Sequence, residues 1–339
     1  MSKAQRLRTS DFDYDLPPEL IARYPAERRE ASRLLVLDRV RGTLSHGLFP
    51  RFLDHLRPGD LVVANDTRVL PARLLGRKPT GASAEILLLE PAEGAVEKGS
   101  RDPRLWRAMV RPGGKLKPGR TVEVAPDLVV RILDSLPGGT RLVRLETELK
   151  TSEALSRHGR IPLPPYLGRD DEPEDRQRYQ TVYAAREGSV AAPTAGLHFT
   201  EDLIHRIRGL GVDWTTVTLH VGVGTFRVVD AEDPESHEMH KERYHVPERL
   251  VAAVNACRSR GARVWAVGTT VVRTLESAVG PDGSLVAGPG ETDLFIRPPY
   301  DFKVVDGLLT NFHLPRSTLL MLVSAFGGTD LVKRAYEEA

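Results

Sequence analysis

The sequence predicts an α/β main domain with a mixed, largely parallel sheet, plus an inserted small all-β barrel domain. Three observations carry that expectation. Helix and strand signals mix in the first 66 residues and alternate again after residue 150, as in a sheet wound with helices. From about 69 to 149 the long helical period disappears, and short strands follow one another between Gly/Pro turns, as in a small barrel. The charge changes at the same place. Residues 67–150 hold 16 Arg and Lys against 10 Asp and Glu, a local +6 in a chain of net charge +2, leaving −4 for the rest. We therefore expect a discontinuous α/β catalytic domain over 1–66 and 151–339, with the barrel over 67–150.

Taken in order, residues 16–22 read as a helix start, with Pro17 and Pro18 where amide donors are not needed. Residues 33–37 and 61–64 read as buried strands, the second introduced by the turn Arg57-Pro58-Gly59-Asp60. Between them, 49–56 fits a short amphipathic helix. In the insertion, strands are expected at 84–89, 105–110, 120–124, 128–133 and 141–145, the last two joined through Pro137-Gly138-Gly139. Beyond 150, helices are expected at 200–209, 247–260, 269–278, 317–325 and 329–337, and strands near 212–220, 263–267 and 291–296. The proline-rich stretch 159–193 has little periodicity. Loops of that length inside a compact protein are usually functional or mobile.

Composition removes several classes. With 40% hydrophobic and 28% charged residues over 339 positions, the chain is not disordered. No run approaches the roughly 18 apolar residues of a membrane span. The opening Met1-Ser2-Lys3-Ala4-Gln5-Arg6 has no signal-peptide character, so a cytoplasmic protein is expected. The single Cys257 excludes an intramolecular disulfide and a cysteine-rich metal site, and its place in an apolar helix reads as packing. His237-Glu238-Met239-His240-Lys241 misses the zinc-protease pattern, because Lys stands where the second His is needed. No metal is expected. Gly113-Gly114-Lys115 is followed by Leu116 rather than Ser or Thr, so no Walker loop is present. Gly222-Val223-Gly224 after a strand is half of a nucleotide-binding loop, without its third glycine.

Several unusual segments occur in a fixed order. They are Asn65-Asp66-Thr67-Arg68-Val69-Leu70-Pro71-Ala72-Arg73-Leu74, then Gly159-Arg160-Ile161-Pro162-Leu163-Pro164-Pro165-Tyr166, then Tyr179-Gln180-Thr181-Val182-Tyr183-Ala184. Gly188 to Thr200, Leu219 to Phe226, Ala266-Val267-Gly268-Thr269-Thr270 with Arg273 and Glu276, and Thr310-Asn311-Phe312-His313-Leu314-Pro315 complete the set. From about residue 10 onward this order resembles the S-adenosylmethionine:tRNA ribosyltransferase-isomerase family of queuosine biosynthesis. The resemblance implies an α/β domain carrying an inserted β-barrel. It also implies a reaction in which S-adenosylmethionine, as cosubstrate, gives its ribosyl group to the aminomethyl group of 7-aminomethyl-7-deazaguanine at the tRNA wobble position. The products would be epoxyqueuosine-tRNA, adenine and methionine. No resident cofactor and no membrane are implied, and a monomer is expected. Two departures stand out: Pro298-Pro299-Tyr300 replaces a usual Pro-Gly before Tyr, and the resemblance leads one to expect more chain beyond Ala339.

That chemistry asks for a base at the 5′ carbon beside the sulfonium, and for groups that hold a carboxylate and an ammonium. His198 is the first choice for proton transfer, with His220 and His313 second; each could instead be a loop-fixing or core histidine. Thr194, Gly196, Gly222, Gly224, Thr225, Thr269, Thr270 and Arg273 are the candidates for the cosubstrate. Arg68, Arg73, Arg107, Arg111, Lys115 and Lys117 are the candidates for tRNA phosphates. A buried bridge from Asp66 to Arg, and an intrahelical pair of Arg273 with Glu276, are the structural alternatives. A conventional S-adenosylmethionine-dependent RNA methyltransferase and a non-enzymatic RNA-binding protein remain the alternative functions.

Overall fold

The computed structural model describes residues 7–92, 102–222, 229 and 231–339. In chain order its strands are β1 (Arg33–Asp38), β2 (Thr43–Leu48), β3 (Leu61–Asn65), β4 (Thr67–Val69), β5 (Arg73–Arg77), β6 (Ser83–Pro91), β7 (Leu105–Arg111) and β8 (Thr121–Ala125). There follow β9 (Leu128–Ser135), β10 (Arg141–Glu146), β11 (Arg186–Ser189), β12 (Asp213–Leu219), β13 (Glu242–Val246), β14 (Val264–Val267), β15 (Gly288–Thr292) and β16 (Gly307–Leu309). The helices are α1 (Thr151–His158), α2 (Asp175–Arg178), α3 (Glu201–Gly209), α4 (Glu248–Ser259), α5 (Thr269–Ser277), α6 (Thr318–Gly327) and α7 (Thr329–Glu338). Two compact units result, one of Met1–Thr67, Gln180–Arg186 and Ala192–Ala339, the other of Arg68–Tyr179 and Glu187–Ala191.

The first unit is built on a six-stranded sheet ordered β15-β13-β12-β3-β14-β16. Strands β12, β3, β14 and β16 run parallel, while β13 and β15 add an antiparallel margin. The sheet is thus mixed and largely parallel, as expected. Strand β3 shows why its sequence is uniformly apolar. Leu61 and Val63 pack with Val254 and Cys257 of α4 and Val271 and Leu275 of α5. Val62 and Ala64 pack on the opposite face with Phe52, Phe199, Leu203 and Ile207. Both faces are covered, so polar alternation has no place. At the amino ends, the buried Asp60 carboxylate accepts from Arg263 Nη2 at 2.6 Å and from the Arg57 amide at 3.0 Å. Burial opposes that charge, but the hydrogen bonds from Arg263 outweigh it and hold the carboxyl below its ordinary range.

The second unit holds a closed antiparallel barrel ordered β10-β7-β6-β5-β8-β9. Leu74, Ile86, Leu88, Ala108, Val122, Val130, Ile132, Val143 and Leu145 are buried, alternating along their strands with more exposed residues. The closing contact of β5 with β8 demands a glycine, since a Cβ on Gly76 would lie 2.4 Å from the Glu123 carbonyl oxygen. This unit extends beyond the 67–150 assigned to the insertion. Helix α1 and the chain to Tyr179 join it, through the backbone pairing of Arg73 with Arg160 and the Arg176 hydrogen bond to the Gly159 carbonyl at 2.6 Å.

Three local expectations need correction. Residues 16–22 form only the turn Pro18–Leu20; Leu20 is exposed, so no apolar face holds a longer helix. The helix at 49–56 is a 3-10 helix, Phe49–His55, whose buried Phe49 and Phe52 stand three apart and match its period. The strand placed near 291–296 lies earlier, as β15, and Ile296 beyond it enters the core instead of the sheet.

Candidate active site

Strands β3, β12, β14 and β16 all point their carboxyl ends to one edge, where open α/β sheets bind ligands. The residues there are those of the unusual sequence segments. Asn65 ends β3 and Asp66 and Thr67 follow it, His220 to Gly222 follow β12, Gly268 to Thr270 follow β14, and Thr310 and Asn311 follow β16.

Asn65 joins these ends. Its Oδ1 accepts from the amides of Leu219 and Thr67, both at 3.1 Å, and its Nδ2 donates to the Leu219 carbonyl at 2.9 Å. The same Nδ2 reaches Thr270 Oγ1 at 3.5 Å. Asn65 was not among the candidate residues, although a buried amide with four places to fill is what a junction of strand ends requires. Asp66 is also buried. Its carboxylate accepts from Thr216 Oγ1 at 3.0 Å and Thr218 Oγ1 at 2.6 Å. Among the described residues no arginine bridges it, which corrects the Asp–Arg alternative.

The three histidines differ in how they are held. His198 closes the 3-10 turn Thr194–His198, just before Thr200, whose Oγ1 caps α3 by accepting from the Leu203 amide. Both its ring nitrogens are engaged, Nδ1 with Ser32 Oγ at 3.0 Å and Nε2 with Asn311 Nδ2 at 3.0 Å. Phe49 packs on its ring at 5.1 Å between centroids. His220 Nδ1 meets Thr67 Oγ1 at 2.9 Å. His313 Nε2 meets Thr310 Oγ1 at 3.1 Å, and its backbone is clasped by the hydroxyls of Tyr14 and Tyr336. Burial lowers all three, His313 to about 4 from an ordinary 6.5. They are therefore neutral in the native protein near pH 7. An unfolded chain takes up these protons below pH 6.5, so their stabilising contribution is complete above 6.5 and is lost as the pH falls below it, for His313 down to about 4. A His313→Gln variant should therefore show a shallower loss of Tm between pH 6.5 and 4 than the parent. Parallel Tm profiles would refute that.

Among the cosubstrate candidates, Gly224 and Thr225 lie outside the described residues. Thr269 and Thr270 open α5, after Gly268 at φ +92°, a conformation that favours glycine. The Gly222 amide donates to Glu242 Oε1 at 3.0 Å. Thr194 begins the turn that ends at His198. Gly196 has a packing reason of its own, because a Cβ there would lie 2.1 Å from the Tyr183 hydroxyl. Arg273 does not pair with Glu276. Its Nη1 binds Glu242 Oε2, its Nε donates to the Leu294 carbonyl at 3.1 Å, and its Nη2 is buried without a partner among the described residues. Glu276 instead accepts from the amides of Lys303, Val304 and Val305 at 2.9–3.2 Å.

The candidates for tRNA all belong to the second unit. Arg68, Arg111, Lys115 and Lys117 are exposed, with no partner among the described residues. Arg107 stands 3.1 Å from Glu90. Arg73 is committed to Glu85 at 3.0 Å and Asp170 at 2.8 Å, inside its own unit. Arg141, not among the candidates, donates to the carbonyls of Leu116 at 3.1 Å, Gly113 at 3.1 Å and Thr140 at 2.9 Å, and so braces the loop carrying Lys115 and Lys117. Among the described residues no group of three or more His, Cys, Asp or Glu could hold a metal ion.

A family model described as "Queuosine biosynthesis protein" matches residues 9–339. The S-adenosylmethionine:tRNA ribosyltransferase-isomerase of Anaeromyxobacter sp. (strain Fw109-5) is 53% identical over 334 residues, covering 98% of this chain and 94% of the relative. The chain belongs to this family. A second ribosyltransferase-isomerase, from Symbiobacterium thermophilum, is 50% identical over 335 residues, covering 98% and 95% of the two chains. The crystal structure of the S-adenosylmethionine tRNA ribosyltransferase from Thermotoga maritima is similar with a TM-score of 0.54 and 39% identity, over 97% of this chain and 94% of that one. As a ribosyltransferase-isomerase family member, the chain is an enzyme of the transferase/isomerase type. No helix among the described residues is long and apolar enough to cross a membrane.

Proposed function

We propose that this enzyme transfers and isomerises the ribosyl moiety of S-adenosylmethionine onto the aminomethyl group of 7-aminomethyl-7-deazaguanine at the wobble position of tRNA. Adenine and methionine leave, and epoxyqueuosine remains in the tRNA. The observation that carries this reading is the coincidence of the family's segments with the carboxyl-end loops of four parallel strands. That edge offers neutral histidines for proton transfer, the N-terminus of helix α5, which favours a carboxylate, and a buried arginine whose Nη2 has no partner among the described residues. The donor serves as cosubstrate and is consumed; no resident cofactor or metal enters the proposal.

The methyltransferase alternative asks for an acidic residue at the end of the strand after the Gly222 loop, to hold a ribose. Strand β13 ends on Val246, followed by Pro247. A product assay separates the readings. With labelled S-adenosylmethionine and tRNA bearing the deazaguanine base, free adenine and methionine are expected. S-adenosylhomocysteine as the product, or no turnover by folded protein, would sink the proposal.

On the tRNA side, we propose that Arg68, Arg111, Lys115 and Lys117 follow phosphates, with Arg107 beside them and Arg73 contributing to their support. Replacing Lys115 and Lys117 together by Gln should weaken tRNA binding at low salt. It should also reduce the slope of log affinity against log salt by about 1.5, at about 0.7–0.9 per lost phosphate contact. An unchanged slope would place the tRNA elsewhere.

A further inference from the structure

We infer that His220 is the residue that takes the proton from the 5′ carbon of the donor, and that the Thr67 hydroxyl fixes the tautomer that makes this possible. The inference rests on the reaction proposed above. A base needs a ring nitrogen whose electron pair is unshared in the resting protein. At His198 neither nitrogen meets that need. The Asn311 amide nitrogen can only donate, so Nε2 accepts from it, and Nδ1 carries the hydrogen given to Ser32. At His313 the Nε2 is paired with Thr310 inside its own turn, the backbone is clasped by Tyr14 and Tyr336, and burial lowers the ring to about 4, so it is the weakest base of the three whichever nitrogen is used.

His220 is arranged differently. Its Nδ1 meets Thr67 Oγ1 at 2.9 Å, and that hydroxyl also reaches the Arg186 carbonyl at 3.4 Å. A carbonyl only accepts, so the hydroxyl hydrogen goes to Arg186 and a lone pair of Oγ1 receives the hydrogen on Nδ1. This leaves the electron pair on Nε2, which has no partner among the described residues. Thr67 is held for the task. It is fully buried, and its amide donates to Asn65 Oδ1 at 3.1 Å. The charged groups facing His220 are the Asp66 carboxylate, which favours its protonated form, and Arg243, which opposes it, while burial keeps the resting ring neutral. In the step itself the C5′–H bond breaks and its electron pair stays on carbon next to the positive sulfonium. The proton joins Nε2, and the imidazolium is steadied by Thr67 through Nδ1 and by Asp66 through space. Thr67 is thus a positioning residue for His220.

The test compares wild type with His220→Gln, His198→Gln, Thr67→Val and Thr67→Ser, measuring adenine release from S-adenosylmethionine with substrate tRNA across pH. His220→Gln should lose about a hundredfold or more in kcat, the usual loss for a general base, with donor affinity within about threefold of wild type. Thr67→Val should lose about tenfold in kcat with little change in KM, and its acid limb should move to lower pH because the imidazolium has lost an acceptor. Thr67→Ser should restore both. His198→Gln should keep the pH profile of the wild type. Full activity of His220→Gln, or a Thr67→Val profile identical to wild type, would overturn the assignment. Should His220→Gln melt well below the parent, the Thr67→Val and Thr67→Ser pair decides by the same criteria. If wild type releases S-adenosylhomocysteine, the proposed reaction fails, and that outcome is distinct from a misassigned base.

Discussion

Arg273→Met is expected to destabilise the protein by about 3–5 kcal/mol, the usual cost of breaking a buried ion pair by removing one member. Arg273 and Glu242 are each only 5% exposed and bind one another directly. Removing the guanidinium takes the Arg273 side of this buried ion pair from the Glu242 carboxylate, while the Gly222 amide still donates to one of its oxygens. The Leu294 carbonyl would lose its donor as well. The double variant Arg273→Met/Glu242→Gln should recover part of the loss, because it removes both charges and keeps the Gly222 hydrogen bond. Urea unfolding of the three proteins checks this. A loss below about 1 kcal/mol for the single variant would mean that the pair is solvated and the buried arrangement is wrong.

Gly196→Ala is expected to be the most damaging single-methyl change at the site. The new Cβ would stand 2.1 Å from the Tyr183 hydroxyl and 2.8 Å from Thr181 Cγ2. Tyr183 cannot easily withdraw, since its ring packs edge-on against Trp214 at 5.4 Å and Trp214 in turn against Phe199 at 5.1 Å. Either the aromatic group or the turn Thr194–His198 must shift, at about 1–3 kcal/mol as other overpacked sites show. If the turn gives way, Ser32 and Asn311 lose His198 together. Adenine release should then fall along with Tm, and the companion variant Gly196→Ala/Tyr183→Phe should recover much of the loss, because the closest contact is with the hydroxyl, while Thr181 Cγ2 at 2.8 Å keeps the recovery incomplete. A Gly196→Ala protein with parental Tm and turnover would show that the packing is looser than described.

The sheet and the barrel were legible in the sequence because long signals specify them. Strand β3 is apolar on both faces, and five of the six barrel strands read as strands between Gly/Pro turns, so both patterns survive without tertiary information; β5 (Arg73–Arg77), with Gly76 inside it, is not among the expected strands. Short elements were not legible. Strand β16 has three residues, and β13 mixes Glu242, Arg243 and His245 with two apolar neighbours, so neither shows a period. The site was legible as a set of segments but not as a set of contacts. Asn65 carries no catalytic signature, yet it ties three strand ends. Glu276 stands at helical spacing from Arg273, and only the fold shows that one serves backbone amides and the other a strand glutamate. His198 and His220 look equivalent as letters. Their hydrogen-bond partners, Asn311 and Ser32 in one case and Thr67 in the other, come from segments 113 to 166 residues away. Gly224 and Thr225 lie outside the described residues and stay candidates on sequence grounds alone.

The central claim is that the donor sits at the carboxyl edge of β3, β12, β14 and β16. A crystal structure with S-adenosylmethionine bound tests it most directly. The account predicts donor density there, with C5′ within about 3.5 Å of His220 Nε2, a near-attack separation, and the methionine carboxylate toward Thr269, Thr270 or Arg273. Well-defined donor density at any other place on the protein, with this edge unoccupied, would contradict it.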